Sequence, residues 1–289
     1  MAGGSYYVPE HSPWPIIASI GLFFTLYGAV HLLHSNHHIG LITCSIGLAI
    51  MIFVITRWFG SVVNESLAGL YSRQMDRSFR WGMMWFIFSE IMFFLAFFGA
   101  LFYARNCSVP TLGGLDGDGL TNLMLWPNFQ AAWPLFKNPD PAIHGPHHVI
   151  HAFGIPALNT LLLLSSACTL TWAHWALKYA KRGQVIFGLF ITILLGSVFL
   201  GCQAYEYVIA HTQDGLTLAS GIYGSTFFML TGFHGLHVTV GAIMLTVILF
   251  RVLKGHFTAD NHFAFEACAW YWHFVDVVWL ILFVFVYWI

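Results

Sequence analysis

Charged residues are scarce in this sequence. Only 8% of its 289 residues are Asp, Glu, Lys or Arg, whereas about a quarter of an average soluble domain is charged. So few charges cannot cover a water-soluble surface of this size, which excludes an ordinary soluble fold. The formal net charge of -1 gives no electrostatic basis for binding nucleic acid.

Other signals are also missing. The five cysteines form no CxxC pair, and four of them lie in apolar runs, so we expect small buried side chains rather than a disulfide or metal framework. The N-terminus has neither a basic segment before an apolar stretch nor an Arg/Ser-rich amphipathic segment, so no cleaved targeting peptide is expected. No Gly-rich phosphate loop or nucleophile elbow is visible.

What the sequence has in abundance is apolar residues, at 58%, with 28 Phe, 12 Trp and 11 Tyr. A bilayer core of about 30 Å needs roughly 20 apolar helical residues. Seven stretches meet this need and predict an all-α, polytopic membrane bundle: 15–33, 39–56, 81–103, 149–177, 185–211, 221–250 and 265–289. A long external loop, 104–148, separates the third and fourth helices, and we expect one domain over residues 1–289.

The distribution of Lys and Arg predicts the orientation, because basic residues stay on the cytoplasmic side. Nine of the eleven fall on one side together with the N-terminus, and only Arg105 and Lys137 fall on the other. The N-terminus is therefore predicted inside, in the cytoplasm or its equivalent, and the C-terminus outside.

Several polar side chains are predicted near mid-membrane, where a charge costs about 2.5–3.5 kcal/mol. Glu90 and Asp276 each lie about 14–16 Å along their helices at the 1.5 Å helical rise. His234 and His237 reach a similar level, and His273 lies one turn before Asp276. These residues predict a polar cluster. It can be a set of hydrogen bonds that locks helices together or a proton relay.

The histidines allow a second interpretation. Two HxxHH patterns, 34–38 and 144–148, resemble the His boxes of a membrane di-iron desaturase or hydroxylase. The Lys/Arg distribution puts both patterns outside, whereas such enzymes keep their boxes on the cytoplasmic side. A transporter is a further alternative because of the seven spans and intramembrane carboxyls, although the expected repeats and matched broken helices are not visible.

Five segments resemble the cytochrome c oxidase subunit III family. The longest runs are FAFEACAWYWHFVDVVW at 263–279 and YGSTFFMLTGFHGLH at 223–237. Shorter matches are FSE at 88–90, TWAH at 171–174 and HSPWP at 11–15. They occur in family order over nearly the whole chain, and apolar composition alone does not produce them.

The resemblance implies a non-catalytic subunit of an oxidase that transfers electrons from cytochrome c to oxygen and pumps protons. Helices one and two would be separated from helices three to seven by a V-shaped cleft filled with phospholipid. The chain would carry no cofactor or metal, while heme a and copper would reside in the catalytic subunit I and the copper-bearing subunit II. Cytochrome c would act on the complex rather than on this chain. The chain's role would be to sustain turnover and proton uptake.

By position, the resemblance carries over several residues. Glu90 matches the family's buried carboxylate in helix three, and the candidates for the lipid cleft are Trp58, Glu65 and Arg251. The sequence departs from mitochondrial relatives at Gly60 and Asn64, where they have basic residues, and in its longer third loop. The longer loop favours the inner membrane of a bacterium, with the mitochondrial inner membrane as the alternative.

Overall fold

The computed structural model describes Tyr7 and residues 11–34, 37–115, 117 and 119–288. Its helices are α1 Trp14–Leu33, α2 His37–Leu67, α3 Arg73–Tyr103, α4 Val109–Leu112, α5 Leu120–Leu125, α6 Ile155–Lys178, α7 Arg182–Thr212, α8 Ile222–Leu253 and α9 Phe263–Leu282, with π-helical turns at Ala104–Ser108 and Phe283–Trp288. No strand occurs among these residues, apart from an isolated bridge between Lys137 and His144. The predicted all-α class is confirmed.

Seven helices are long and apolar enough to cross a membrane: α1, α2, α3 with its continuation to Leu112, α6, α7, α8, and α9 with its continuation to Trp288. The chain is therefore a multi-pass membrane protein. The largest differences from the hydropathy pattern are in two helices, since α2 continues eleven residues past 56 to Leu67 and α3 begins at Arg73 instead of 81. Residue 289, the predicted end of the last helix, lies outside the described residues.

The fourth spanning helix begins later than predicted. Residues 149–154 are not helical, and α6 starts at Ile155 with Pro156 in its first turn. Proline suits that position because the first amide groups of a helix have no intrahelical acceptor. The apolar residues before Ile155 are thus part of the preceding loop.

The chain divides into two compact units, Met1–Trp81 and Gly82–Ile289. In the first unit, α1 and α2 pack through glycines. The residues buried within these two helices are Gly21, Gly28, Gly40, Gly47 and Val54. A Cβ added at Gly28 would collide with the backbone of Cys44, and one at Gly47 with the amide of Thr25. The two backbones therefore meet directly, as in small-residue interfaces of membrane helices.

In the second unit, Trp272 of α9 lies at the centre of the bundle and is fully buried. A Cβ at Gly196 of α7 would lie 2.6 Å from its ring, and one at Gly241 of α8 would lie 2.8 Å away. The indole nitrogen donates a hydrogen bond of 2.9 Å to Ser166 Oγ of α6. One side chain thus fixes the spacing of four helices, α6 to α9.

The segment predicted as the loop 104–148 is ordered by hydrogen bonds. Its first residues prolong α3 to Leu112, and α5 lies farther along it. The Asn122 amide nitrogen lies 2.8–3.0 Å from the carbonyl oxygens of Leu112, Trp126 and Phe129, which share its two hydrogens. Asn138 donates to the carbonyls of Ile143 and Ser220, which ties the segment to the start of α8.

Candidate functional site

The mid-membrane residues include one close pair, between Glu90 of α3 and His237 of α8. Glu90 Oε2 lies 2.8 Å from His237 Nε2. The other ring nitrogen, Nδ1, donates to the carbonyl oxygen of Phe233 at 2.6 Å. Aromatic rings flank the histidine, with the rings of Phe93 and Phe94 centred 5.9 and 4.9 Å from that of His237, while the pair as a whole is partly buried. The structure thus brings together two of the predicted site residues in an apolar surrounding.

These contacts restrict the protons of the pair. A carbonyl oxygen can only accept, so Nδ1 must carry a hydrogen. The 2.8 Å contact between Nε2 and Oε2 then needs one further proton, held by the ring or by the carboxyl. Both arrangements have zero net charge, either as imidazolium with carboxylate or as neutral imidazole with carboxylic acid. A pair without net charge is compatible with the membrane interior and is also able to shift a proton between its two atoms.

The other predicted residues form a looser arrangement on α9. His273 Nδ1 lies 3.5 Å from Asp276 Oδ2, while its Nε2 lies 3.4 Å from the hydroxyl of Thr171 on α6. Asp276 is 5% exposed, and neither of its oxygens completes a hydrogen bond with a described residue. The carboxyl is therefore near a histidine but weakly held.

His234 is packed among aromatic rings in the core of the second unit. It is buried between Phe199 and Trp279, whose rings are centred 5.7 and 5.1 Å from it. Its Nε2 lies 3.2 Å from the carbonyl oxygen of Val275 and donates to it, whereas Nδ1 has no partner in the described residues. The polar cluster predicted as one group thus consists of a close pair, a weak pair and a packed histidine.

Glu206 of α7 is a further buried carboxyl, one that the sequence analysis does not single out. It is 2% exposed. Its Oε1 accepts hydrogen bonds from Tyr287 Oη at 2.6 Å and from Gln203 Nε2 at 3.2 Å. Asn159 of α6 extends the network by donating to Gln203 Oε1 at 3.4 Å. The signal available in the sequence was Gln203 one turn before Glu206, but Tyr287 lies 81 residues away and its contact depends on the fold.

The candidates for lipid binding lie in both units. Trp58 is 41% exposed on α2. Glu65 Oε2 accepts a hydrogen bond of 2.7 Å from Tyr71 Oη. Burial and, secondarily, this carboxylate raise the pKa of Tyr71 above its ordinary value. Glu65 therefore has a partner in its own unit, and the hydroxyl of Tyr71 keeps its proton.

Arg251 lies in the last turn of α8, with its guanidinium carbon 4.5 Å from the centre of the Phe257 ring. Its Nε is buried and has no partner among the described residues. Burial and then repulsion from Arg251 and Lys254 lower the pKa of nearby His256. This end of the second unit is thus positively charged, with a donor available to an anion.

All sixteen histidines fall in the described part of the chain. Within that part, no group of three or more His, Cys, Asp or Glu side chains is arranged to hold a metal ion. The histidines of the two HxxHH patterns, including His34, His37 and His144, are exposed. The spacing that suggested di-iron boxes does not bring the rings together in space.

Comparison with known proteins gives a consistent result. The sequence model of the family described as cytochrome c oxidase subunit III matches residues 4–118 and 137–289. The chain is 40% identical over 285 residues to cytochrome c oxidase subunit 3 of Struthio camelus, covering 98% of this chain and 97% of the relative. It is 41% identical over 286 residues to that of Drosophila melanogaster, covering 98% and 96%. The match to that of Heterololigo bleekeri is 38% over 289 residues, covering 100% and 99%. The chain therefore belongs to the cytochrome c oxidase subunit III family, whose members are subunits of a multi-subunit respiratory oxidase.

Proposed function

We propose that this subunit carries no redox centre and acts by supporting the catalytic subunit of the oxidase. The observation that carries this proposal is the family match over nearly the whole chain, combined with histidines that do not converge into a metal-ligand set in the described residues. Heme a and copper would then be held by subunits I and II, and cytochrome c would deliver electrons to the complex. The desaturase and transporter interpretations have no support in the comparisons.

In this role, the subunit would maintain proton uptake by the catalytic subunit during sustained turnover. The Glu90–His237 pair has zero net charge and lies within the membrane span of α3 and α8, so it suits a stabilising contact as well as a proton-exchanging one. The proposed orientation puts the N-terminus in the cytoplasm of a bacterium and the C-terminus in the periplasm. Residues 119–136, which fall between the two segments matched by the family model, would make an additional external contact with another subunit.

Depleting the oxidase of this subunit tests the role. We expect heme and copper per complex to be unchanged and the first turnovers to proceed at a rate close to that of the intact enzyme. Activity should then decline much faster during continuous turnover, because proton delivery to the catalytic subunit is impaired. Optical spectra, metal analysis and long oxygen-consumption traces measure these quantities, with re-addition of the purified subunit as the control. Loss of heme in proportion to loss of the subunit would contradict the proposal.

We also propose that Arg251 binds the phosphate of a phospholipid. Its Nε is unpartnered, and the Phe257 ring holds the side chain in place. Basic residues near the inner interface attract lipid phosphate. The lipid-filled V-shaped cleft and the single-domain organisation of the chain stay predictions.

The substitution Arg251→Gln tests this lipid site. We expect the purified oxidase to retain one phospholipid fewer per complex, because glutamine keeps a polar side chain but loses the cation and its forked donors. Lys254→Gln is the matched control, since Lys254 is exposed and lies in the next turn. Native mass spectrometry counts the bound lipids. Equal lipid numbers in both variants and in the unchanged protein would refute the assignment.

A further inference from the structure

Three consecutive apolar side chains are exposed on the short helix α5. Leu123, Met124 and Leu125 are 64–77% exposed and form the second half of that helix. A spanning helix can expose such residues to lipid, but α5 has only six residues and does not cross a membrane. Apolar side chains that are exposed together outside a spanning helix mark a surface that contacts another molecule. We call these three residues the α5 patch.

The α5 patch is held in place by the segment around it. The Asn122 amide nitrogen lies 2.9 Å from the carbonyl oxygen of Leu112, the last residue of α4. A Cβ added at Gly113 would collide with Ala131, so the return of the segment packs directly against the end of α4. The patch is thus fixed to the tip of the long helix that α3 and α4 form. A surface that is already ordered loses little conformational entropy when it binds.

This tip projects beyond the start of α8. Leu101 of α3 lines a small cavity together with α8 residues from Tyr223 to Leu230, which fixes the level of the two helices relative to each other. From that level α8 has at most eight residues left to its first residue, Ile222, or about 12 Å at the helical rise. The helix that continues α3 runs eleven residues farther, to Leu112, or about 16 Å. The α5 patch therefore lies beyond the outermost turn of α8.

This position and the local charge favour a protein contact over a lipid contact. The 32 residues of α8 measure about 48 Å, more than the roughly 30 Å of a hydrocarbon core, so its first turn lies at or outside the hydrocarbon boundary. The α5 patch is farther out. Segments that lie on lipid head groups usually carry Lys or Arg, whereas the only charged residues in 106–136 are Asp116 and Asp118.

We propose that the α5 patch docks against an apolar surface on the extramembrane part of a neighbouring subunit of the oxidase. This inference rests on the proposed external contact of residues 119–136 and names the side chains that make it. The patch has the composition of an interface core, from which charged residues are depleted and in which Met is enriched. Because α5 falls between the two segments matched by the family model, this contact supplements those made by the matched helices.

Photo-crosslinking in the assembled oxidase, kept in its own membrane, tests the proposal. The photoreactive residue p-benzoyl-phenylalanine replaces Met124, the most exposed of the three side chains, and mass spectrometry identifies the adduct. We expect a peptide from the extramembrane part of another subunit. The same residue in place of Phe190, which is 55% exposed on α7, is the control for detecting lipid adducts. A lipid adduct at Met124, an adduct with a second copy of this chain, or no adduct outside the chain would overturn the proposal.

A second arm measures the strength of the contact with the double variant Leu123→Gln, Met124→Gln. Both side chains are exposed in this chain, so its own fold does not depend on them. We expect detergent to release the subunit from the complex at least about tenfold faster, because burial of one such side chain is worth more than a factor of ten. Leu218→Gln, at an exposed position in the loop before α8, is the matched control. Equal release rates for the patch and control variants would contradict the proposal.

The two arms also separate this inference from the supporting role. If the double variant fails to assemble, the crosslink at Met124 decides alone, since it changes one exposed position. If no subunit is crosslinked, while depletion of the whole subunit still shortens turnover, the docking surface is wrong and the supporting role stands.

Discussion

Gly28→Leu and Gly47→Leu are each expected to break the contact between α1 and α2 and to remove the subunit from the assembled oxidase. Even a Cβ at these positions collides with backbone atoms of the facing helix, and backbone cannot rotate away as a side chain can. The two helices would have to separate along their length. The loss should exceed the roughly 1–3 kcal/mol that is typical of overpacking in a core. The yield of this subunit in purified oxidase and the thermal denaturation midpoint measure the effect.

Gly60→Leu is the matched control for this prediction. Gly60 lies on the same helix, α2, but a Cβ there meets no atom within 4 Å. Helix propensity alone should make leucine slightly better than glycine at position 60. The three variants add the same side chain, so a difference between them reports the packing. Normal assembly of the Gly28 and Gly47 variants would contradict the direct backbone contact.

The spanning helices could be predicted because each needs a long apolar run, and the membrane enforces that need on every segment. Their ends were harder to predict. The hydropathy pattern ends at 56, where Arg57 begins a more polar stretch, yet α2 continues through Asn64 and Glu65 to Leu67. A helix that has left the hydrocarbon no longer needs apolar residues, and only its backbone hydrogen bonds decide where it stops.

The polar residues could be predicted by depth but not by partner. Glu90 and His237 meet because their helices bring them to the same level and face. Asp276 lies at a similar calculated depth but is weakly held. Glu206 lies nearer a helix end and is nonetheless among the most buried residues, because Gln203 and Tyr287 close over it. Position along one helix gives depth in the membrane, whereas burial depends on which neighbouring helices cover that face.

A double-mutant cycle on Glu90 and His237 is expected to show strong coupling. His237→Leu leaves the carboxyl of Glu90 without its partner. Because the pair is only partly buried, we expect a loss below the roughly 3–5 kcal/mol that breaking a fully buried pair costs. Glu90→Leu removes the partner of the ring nitrogen instead. The double leucine variant leaves no unsatisfied group, so we expect it to recover much of the loss. Thermal denaturation of the assembled oxidase, followed by release of this subunit, gives the four values of the cycle.

The same variants separate a contact that locks α3 to α8 from a proton relay. Glu90→Gln keeps a hydrogen-bond donor for His237 Nε2 but has no carboxyl proton to exchange. Asp276→Asn likewise replaces a carboxyl with an amide of similar size. If the contact between Glu90 and His237 is structural, Glu90→Gln should retain normal stability, oxygen reduction and proton uptake, and so should Asp276→Asn. The double leucine variant should also be active once assembled. If the pair relays protons, Glu90→Gln should slow proton uptake without loss of stability, and the double leucine variant should be equally slow. Complete loss of electron transfer in fully assembled Glu90→Gln enzyme would contradict the supporting role itself, because Glu90 would then be indispensable to the redox chemistry of the neighbouring subunits.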